Sequence, residues 1–213
     1  MTICNFEALA QTPLQRDPYD YLVVDDFIRA AEFPSVIADY PAVAGPGSHP
    51  PAELAIKGRF AALMDELQGP AFRAAIEQKF AIDLTGRPTM YTVRGFVREK
   101  DGAIHTDSTT KIITVLLYMN ERWQEDAGRL RLLRGPDNLD DYVAEVAPFG
   151  GTLLAFKRAD NSWHGHKPIS GPRRAIQLNW VTSQEVVDSE QRRHQISTRF
   201  KRIKNLFIPG SAA

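Results

Sequence analysis

The 213-residue chain has one cysteine, Cys4, so neither a disulfide framework nor a thiolate metal cluster can organise it. It has no long apolar run: the longest, residues 112–119, is far short of a membrane span, and no span is expected. It has no excess of one charge, with 26 Lys plus Arg against 26 Asp plus Glu, so no nucleic-acid partner is expected. No basic n-region or apolar h-region follows Met1, and the expected address is cytoplasmic. Internal repeats and low-complexity linkers are lacking as well. A length of 213 with 43% hydrophobic and 24% charged residues suits a single domain over 1–213. The sequence sets no oligomeric state.

What is present is unevenly placed. Residues 1–88 read as a short strand at 21–24 and a helix at 28–39, followed by a loop at 41–51 with four prolines and two glycines. Two amphipathic helices come next. One carries Phe60, Leu63, Met64 and Leu67, the other Phe72, Ala75, Ile76 and Phe80, and Pro70 opens the second. From 89 to 182 the texture is strand and turn, with strands expected near 89–98, 103–107, 111–119, 128–134, 142–147, 151–156, 163–168 and 173–182. Residues 111–119 are apolar on both faces, as in a strand covered on both sides. The expected fold is mainly β with supporting α-helices, a double-stranded β-helix (jelly-roll, cupin-like) barrel.

Residues 183–213 read as a basic C-terminal helix. Thr182 and Glu185 have capping-box spacing, and Ile196, Phe200, Ile203 and Phe207 form an apolar stripe. From Gln191 onward there are six basic residues (Arg192, Arg193, Arg199, Lys201, Arg202 and Lys204) and no acid, which balances a net charge of −6 over the first 190 residues. A solvated basic face is the preferred reading, with docking of an acidic partner the lesser one.

Five histidines are candidates for chemistry. His49 in the Pro/Gly loop and His194 on the basic helix have no evident acidic neighbour and read as surface residues. His105 and Asp107 lie at i and i+2, so on a strand they share a face. A third imidazole from a distant strand completes a two-His-one-carboxylate triad, which leaves metal positions open as non-haem Fe(II) oxygenases require. The competing reading of His105-Thr106-Asp107 is a solvated turn after Asp101-Gly102. Downstream, Ser162-Trp163-His164-Gly165-His166 offers the distant imidazole. If Arg174 points into the barrel, it shares a face with Ile176, Leu178 and Trp180, and a buried guanidinium there needs an anion.

Together these residues resemble the Fe(II)/2-oxoglutarate-dependent dioxygenase superfamily, in particular its prolyl-4-hydroxylase-like group, over about residues 89 to 182. The resemblance rests on His105-x-Asp107, Leu117-Tyr118-Met119-Asn120, Trp123, Pro148-x-Gly150, Phe156, the distal histidine and a basic residue before an aromatic. Ala127-Gly128 departs from the two glycines of many relatives. The resemblance implies Fe(2+) and 2-oxoglutarate as cofactor and co-substrate, O2 as oxidant, and ascorbate as an optional reductant. It implies that His105, Asp107 and His164 hold the iron, and that Arg174 and Tyr118 bind the distal carboxylate of 2-oxoglutarate. His164 is preferred to His166 because Pro168 and Arg174 stand four and ten positions after it. His166 is then placed at the pocket mouth, and Arg173 on the outer surface.

The implied activity is hydroxylation of an unactivated C–H in a peptidyl or small-molecule substrate, with release of succinate and CO2. Thr92, Arg94, Trp163, His166 and Asn179 are the candidate substrate-binding residues. Arg94 and Arg131 are candidates for an anionic substrate, each set against a solvated strand charge. Two other readings compete: a non-oxidative cupin-type barrel that binds a metal or ligand, and a silent interaction module that acts through its basic helix.

Overall fold

Alternation along one central strand sets the architecture. In a computed structural model, which describes residues 2–193, β3 (Lys111–Tyr118) turns Ile113, Val115 and Leu117 to one side and Thr114, Leu116 and Tyr118 to the other. Both sides are covered, as the doubly apolar sequence leads one to expect. Around β3 lies a five-stranded antiparallel sheet in the order β1-β6-β3-β8-β2. Its other strands are β1 (Tyr21–Val24), β2 (Thr89–Val97), β6 (Leu153–Lys157) and β8 (Gly171–Val181). A smaller sheet of β4 (Leu130–Leu133), β5 (Tyr142–Val146) and β7 (His164–Gly165) runs in the order β5-β4-β7.

Helices α3 (Gly58–Gln68) and α4 (Pro70–Phe80) cover the outer face of the large sheet. Phe60, Leu63, Phe72 and Ile76 pack there with Ile113, Val115, Ile176, Leu178 and Trp180. Each such side chain contributes about 1.5–3 kcal/mol by leaving water. A second core, with Tyr118, Leu154, Phe156 and Ala175 from the large sheet and Leu130, Leu132 and Val146 from the small one, lies between the sheets. The result is the two-sheet jelly roll of the double-stranded β-helix, with helices behind one sheet. Among the described residues, no helix is long and apolar enough to cross a membrane.

The expectations for local structure fail at four places, each for a physical reason. Residues 103–107 form no strand. A 3₁₀ turn (Glu99–Gly102) precedes them, and β7 opposite is only two residues long, so pairing is confined to a bridge at His105 and His164. The helix expected at 28–39 is only α2 (Phe33–Ala38), because Ile28 pairs with Cys4 and Pro34 sets the first turn. A short helix, α1 (Phe6–Gln11), capped by Asn5, goes unforeseen. His49 does have an acidic neighbour: its Nδ1 lies 3.5 Å from Glu53 one helical turn on, and its backbone bonds with Val93 close the free edge of β2. Of the C-terminal helix, residues 184–193 are helical. His194, Ile196, Phe200, Ile203 and Phe207 lie outside the described residues.

Candidate metal centre and co-substrate pocket

Backbone pairing brings the two histidines together. His105 N donates to His164 O and His164 N to His105 O, both at 3.0 Å, and the rings lie 4.4 Å apart between centroids. Asp107 joins them: one ligand atom from each of His105, Asp107 and His164 lies within 4.8 Å of the others. His105 is exposed at the opening, whereas Asp107 and His164 are buried.

The imidazoles are fixed in one tautomer. His105 Nδ1 contacts Ala103 O and His164 Nδ1 contacts Ser162 O, each at 2.9 Å. A carbonyl oxygen only accepts, so Nδ1 carries the proton and Nε2 keeps its lone pair. Burial, reinforced by the nearby His105, lowers the His164 pKa to about 4, so its imidazole stays neutral as a metal ligand must. Burial alone would raise the Asp107 carboxyl, but Lys111 and His164 outweigh it and hold the group below its usual range. Lys111 Nζ lies 2.7 Å from Asp107 Oδ1, and Thr114 Oγ1 donates to Oδ2 at 2.5 Å.

Beside this triad is a chamber of about 150 Å³, whose walls include Arg94, His166, Arg173, Ala175 and Gln177. Arg174 is not among them, which corrects the expectation that it points into the barrel. Ala175 pairs with Tyr118 on one side and Arg94 on the other, so the inward face of β8 is Arg173, Ala175, Gln177 and Asn179. Arg174 does share a face with Ile176, Leu178 and Trp180, but that face packs on the helices. Its guanidinium lies 5.5 Å from the ring centre of Tyr40. Asn120 fixes this register: its Oδ1 accepts from Arg174 N at 2.8 Å and its Nδ2 donates to Arg174 O at 3.2 Å.

Arg173, expected on the outer surface, is the buried guanidinium instead. Its Nε donates to Gly128 O at 2.9 Å and its Cζ lies 5.2 Å from the Tyr118 ring centre. Arg173 Nη2 and Tyr118 Oη are both buried without a hydrogen-bond partner. Two unsatisfied donors are costly unless a ligand meets them.

The other candidates divide. His166 is buried on the chamber wall rather than at its mouth, and its Nδ1 donates to Lys167 O at 2.9 Å. Burial first, and then Arg173, lowers its pKa to about 4. Gly102 makes room for it, since a Cβ there would strike the backbone carbonyl of His166. Thr92, Arg94 and Asn179 line an adjoining antechamber, with Arg94 common to both spaces. Trp163 lines neither; its carbonyl accepts from Leu133 N at 2.9 Å and Tyr19 Oη at 3.0 Å. Arg131 is no solvated charge: it is buried on the outer side of β4, held by Asp140 and by Glu145 at 2.6 Å. Thr114, Lys111 and Gln177 were not anticipated. Each lies inside a stretch that reads as plain strand.

Residues 90–182 match the family model described as the 2OG-Fe(II) oxygenase superfamily. They form a 2OG-Fe(II) oxygenase domain. Fe(2+) and 2-oxoglutarate are the pair that this family uses. Among solved structures, the domain with its helices is similar to a prolyl 4-hydroxylase from Phytophthora capsici. That match has a TM-score of 0.59 and 17% identity, over 86% of this chain and 68% of that one. It is also similar to a 2OG-Fe(II) oxygenase-family oxidoreductase from Burkholderia pseudomallei (TM-score 0.50, 12% identity, 84% and 92% covered). A third is the collagen prolyl hydroxylase of Paramecium Bursaria Chlorella virus-1 (TM-score 0.50, 14% identity, 81% and 94% covered). At such identities the likeness is one of fold. No curated protein matches the chain.

The residues of the oxygenase domain fit that cofactor pair. Two imidazoles and a carboxylate are the donor set for iron(II). The unpartnered Arg173 and Tyr118 donors supply what a carboxylate needs.

Proposed function

We propose that the protein is an Fe(II)- and 2-oxoglutarate-dependent hydroxylase, in which His105, Asp107 and His164 hold the metal and Arg173 with Tyr118 holds the distal carboxylate of the co-substrate. The observation that carries this reading is the pair of buried, unpartnered donors on the strand face that also borders the triad. A structural metal in a non-oxidative cupin-type barrel needs no such carboxylate clamp, which disfavours that alternative.

Bound there, iron(II) and 2-oxoglutarate supply the oxidation: O2 is consumed, succinate and CO2 leave, and a C–H bond of a peptidyl or small-molecule substrate gains a hydroxyl. The chain's own residues position the parts. Arg173, tethered to Gly128 O, presents its unpartnered Nη2 to a carboxylate from a fixed place. Tyr118 is held protonated, because burial pushes its hydroxyl up despite the pull of Arg173, so it donates to the same carboxylate. Phe156 packs against the His164 ring at 4.9 Å and shields the rear of the triad from water.

Anaerobic titration of the Fe(II)-loaded protein with 2-oxoglutarate tests the reading. A weak visible charge-transfer band is expected, followed by succinate release once O2 is admitted. Folded protein that binds iron yet shows no band would overturn it.

A further inference from the structure

The metal chamber adjoins an antechamber of about 310 Å³, with Arg94, Lys111 and Gln177 common to both. The shared walls put the antechamber within reach of the metal site. Its volume is near the lower end of the about 300–1,000 Å³ usual for ligand pockets, room for one small molecule.

The walls state what kind of molecule. Ser48, Thr92, Thr110 and Gln177 offer hydroxyl and amide groups, and Arg94 and Lys111 add cations. Among the described residues no aromatic ring lines the space; Tyr91, with Pro50, borders a separate recess. A prolyl segment is gripped best by aromatic-lined grooves, whereas these walls mix polar groups with the aliphatic Met90, Val181 and Val186.

Charge narrows the class. Of the residues lining the two chambers, the carboxylates are Asp101, Asp107 and Glu190. Arg98 pairs with Asp101 at 2.9 Å and Arg193 with Glu190 at 3.0 Å, so both acids are neutralised from outside. Within, Arg94, Arg173 and Lys111 face Asp107, and Asp101, already paired with Arg98, lies near Arg94 as well. Lys111 has Asp107 at 2.7 Å, and Arg173 would have the distal carboxylate of the co-substrate, which leaves Arg94. Arg94, half-buried on β2, forms no salt bridge among the described residues, and its buried Nε has no hydrogen-bond partner. A guanidinium in that position calls for an anion.

We infer that the prime substrate is a small polar acid, its carboxylate or phosphate bound by Arg94 where the antechamber meets the metal chamber, with its hydroxyl or amide groups on Ser48, Thr92, Thr110 and Gln177. The inference rests on the 2-oxoglutarate reading above and names the substrate class for that site.

Calorimetric titration of the anaerobic protein, loaded with Mn(II) and 2-oxoglutarate, tests it without turnover. The probes are L-aspartate and gluconate for carboxylates, glycerol 3-phosphate for phosphates, and a hexaproline peptide. At least one acid is expected to bind with a dissociation constant of about 1 mM or tighter, the peptide not at all. Arg94→Gln is expected to weaken that acid about tenfold or more, as loss of a charge-assisted bond requires, with a far smaller change for 2-oxoglutarate. Ser48→Trp, which fills the antechamber from its loop, is expected to block the acid and spare 2-oxoglutarate binding. Carboxylate and phosphate arms tell the two acid sources apart. Binding of the peptide alone, or of none of the acids, by protein that does bind 2-oxoglutarate overturns the inference. So does an Arg94→Gln loss that is equal for acid and co-substrate. Protein that binds no 2-oxoglutarate would instead overturn the underlying hydroxylase reading.

Discussion

Thr114 Oγ1 donates a 2.5 Å hydrogen bond to Asp107 Oδ2, and it accepts one of 2.8 Å from Asn179 Nδ2. All three side chains are buried, so two neighbouring strands of the large sheet hold the carboxylate in one orientation. Asn179, a candidate substrate contact by sequence, thus directs its amide toward the metal centre.

This relay predicts that Thr114→Val lowers metal affinity about 10–100-fold, the usual effect of removing a group that orients a ligand. Thr114→Ser, which keeps the hydroxyl, should restore most of it. Co(II) titration followed by visible absorption makes the comparison. Equal affinity in Thr114→Val and the parent would show that Asp107 needs no such support.

The two buried histidines of β7 and its extension should differ sharply. His164→Ala removes one of the three proposed ligands and is expected to abolish metal binding. His166 is outside the triad and its Nδ1 is engaged by Lys167 O, so His166→Ala should change metal affinity by no more than a few-fold. The same Co(II) titration decides. The opposite order would exchange their roles.

Trp180 supports the site from behind. It is almost fully buried and stacks near Phe72 of α4, 5.7 Å between ring centres. Trp180→Ala should cost about 3–5 kcal/mol of stability, read as a lower midpoint in urea unfolding. A loss below 1 kcal/mol would mean that the helices are not packed on this face as described.

Much of this was legible in the sequence because it follows from period and spacing. Phe60-Leu63-Met64-Leu67 and Phe72-Ile76-Phe80 mark their helices, and the His-x-Asp pair is readable wherever backbone is extended, strand or not. The error at Arg173 and Arg174 has a physical origin. Alternation correctly grouped Arg174 with Ile176, Leu178 and Trp180, but it does not say which face is the barrel interior. The answer was present in the residue types. A pocket that receives a dicarboxylate is lined by small and polar groups, here Ala175, Gln177 and Asn179, whereas the bulky apolar set belongs against helices. Lys111 and Thr114 were hidden for a different reason. Their partner Asp107 is only four and seven residues away, but it lies before the turn into β3, and strand alternation alone does not show that this turn folds it back alongside them.

The central claim is that Arg173, not its neighbour, grips the co-substrate, and anaerobic 2-oxoglutarate titration of Fe(II)-loaded Arg173→Ala and Arg174→Ala tests it most directly. Loss of a charge-assisted pair predicts that Arg173→Ala needs about tenfold or more 2-oxoglutarate to develop the charge-transfer band, with iron affinity kept. Arg174→Ala should titrate like the parent. A band that survives in Arg173→Ala and weakens in Arg174→Ala would contradict the account.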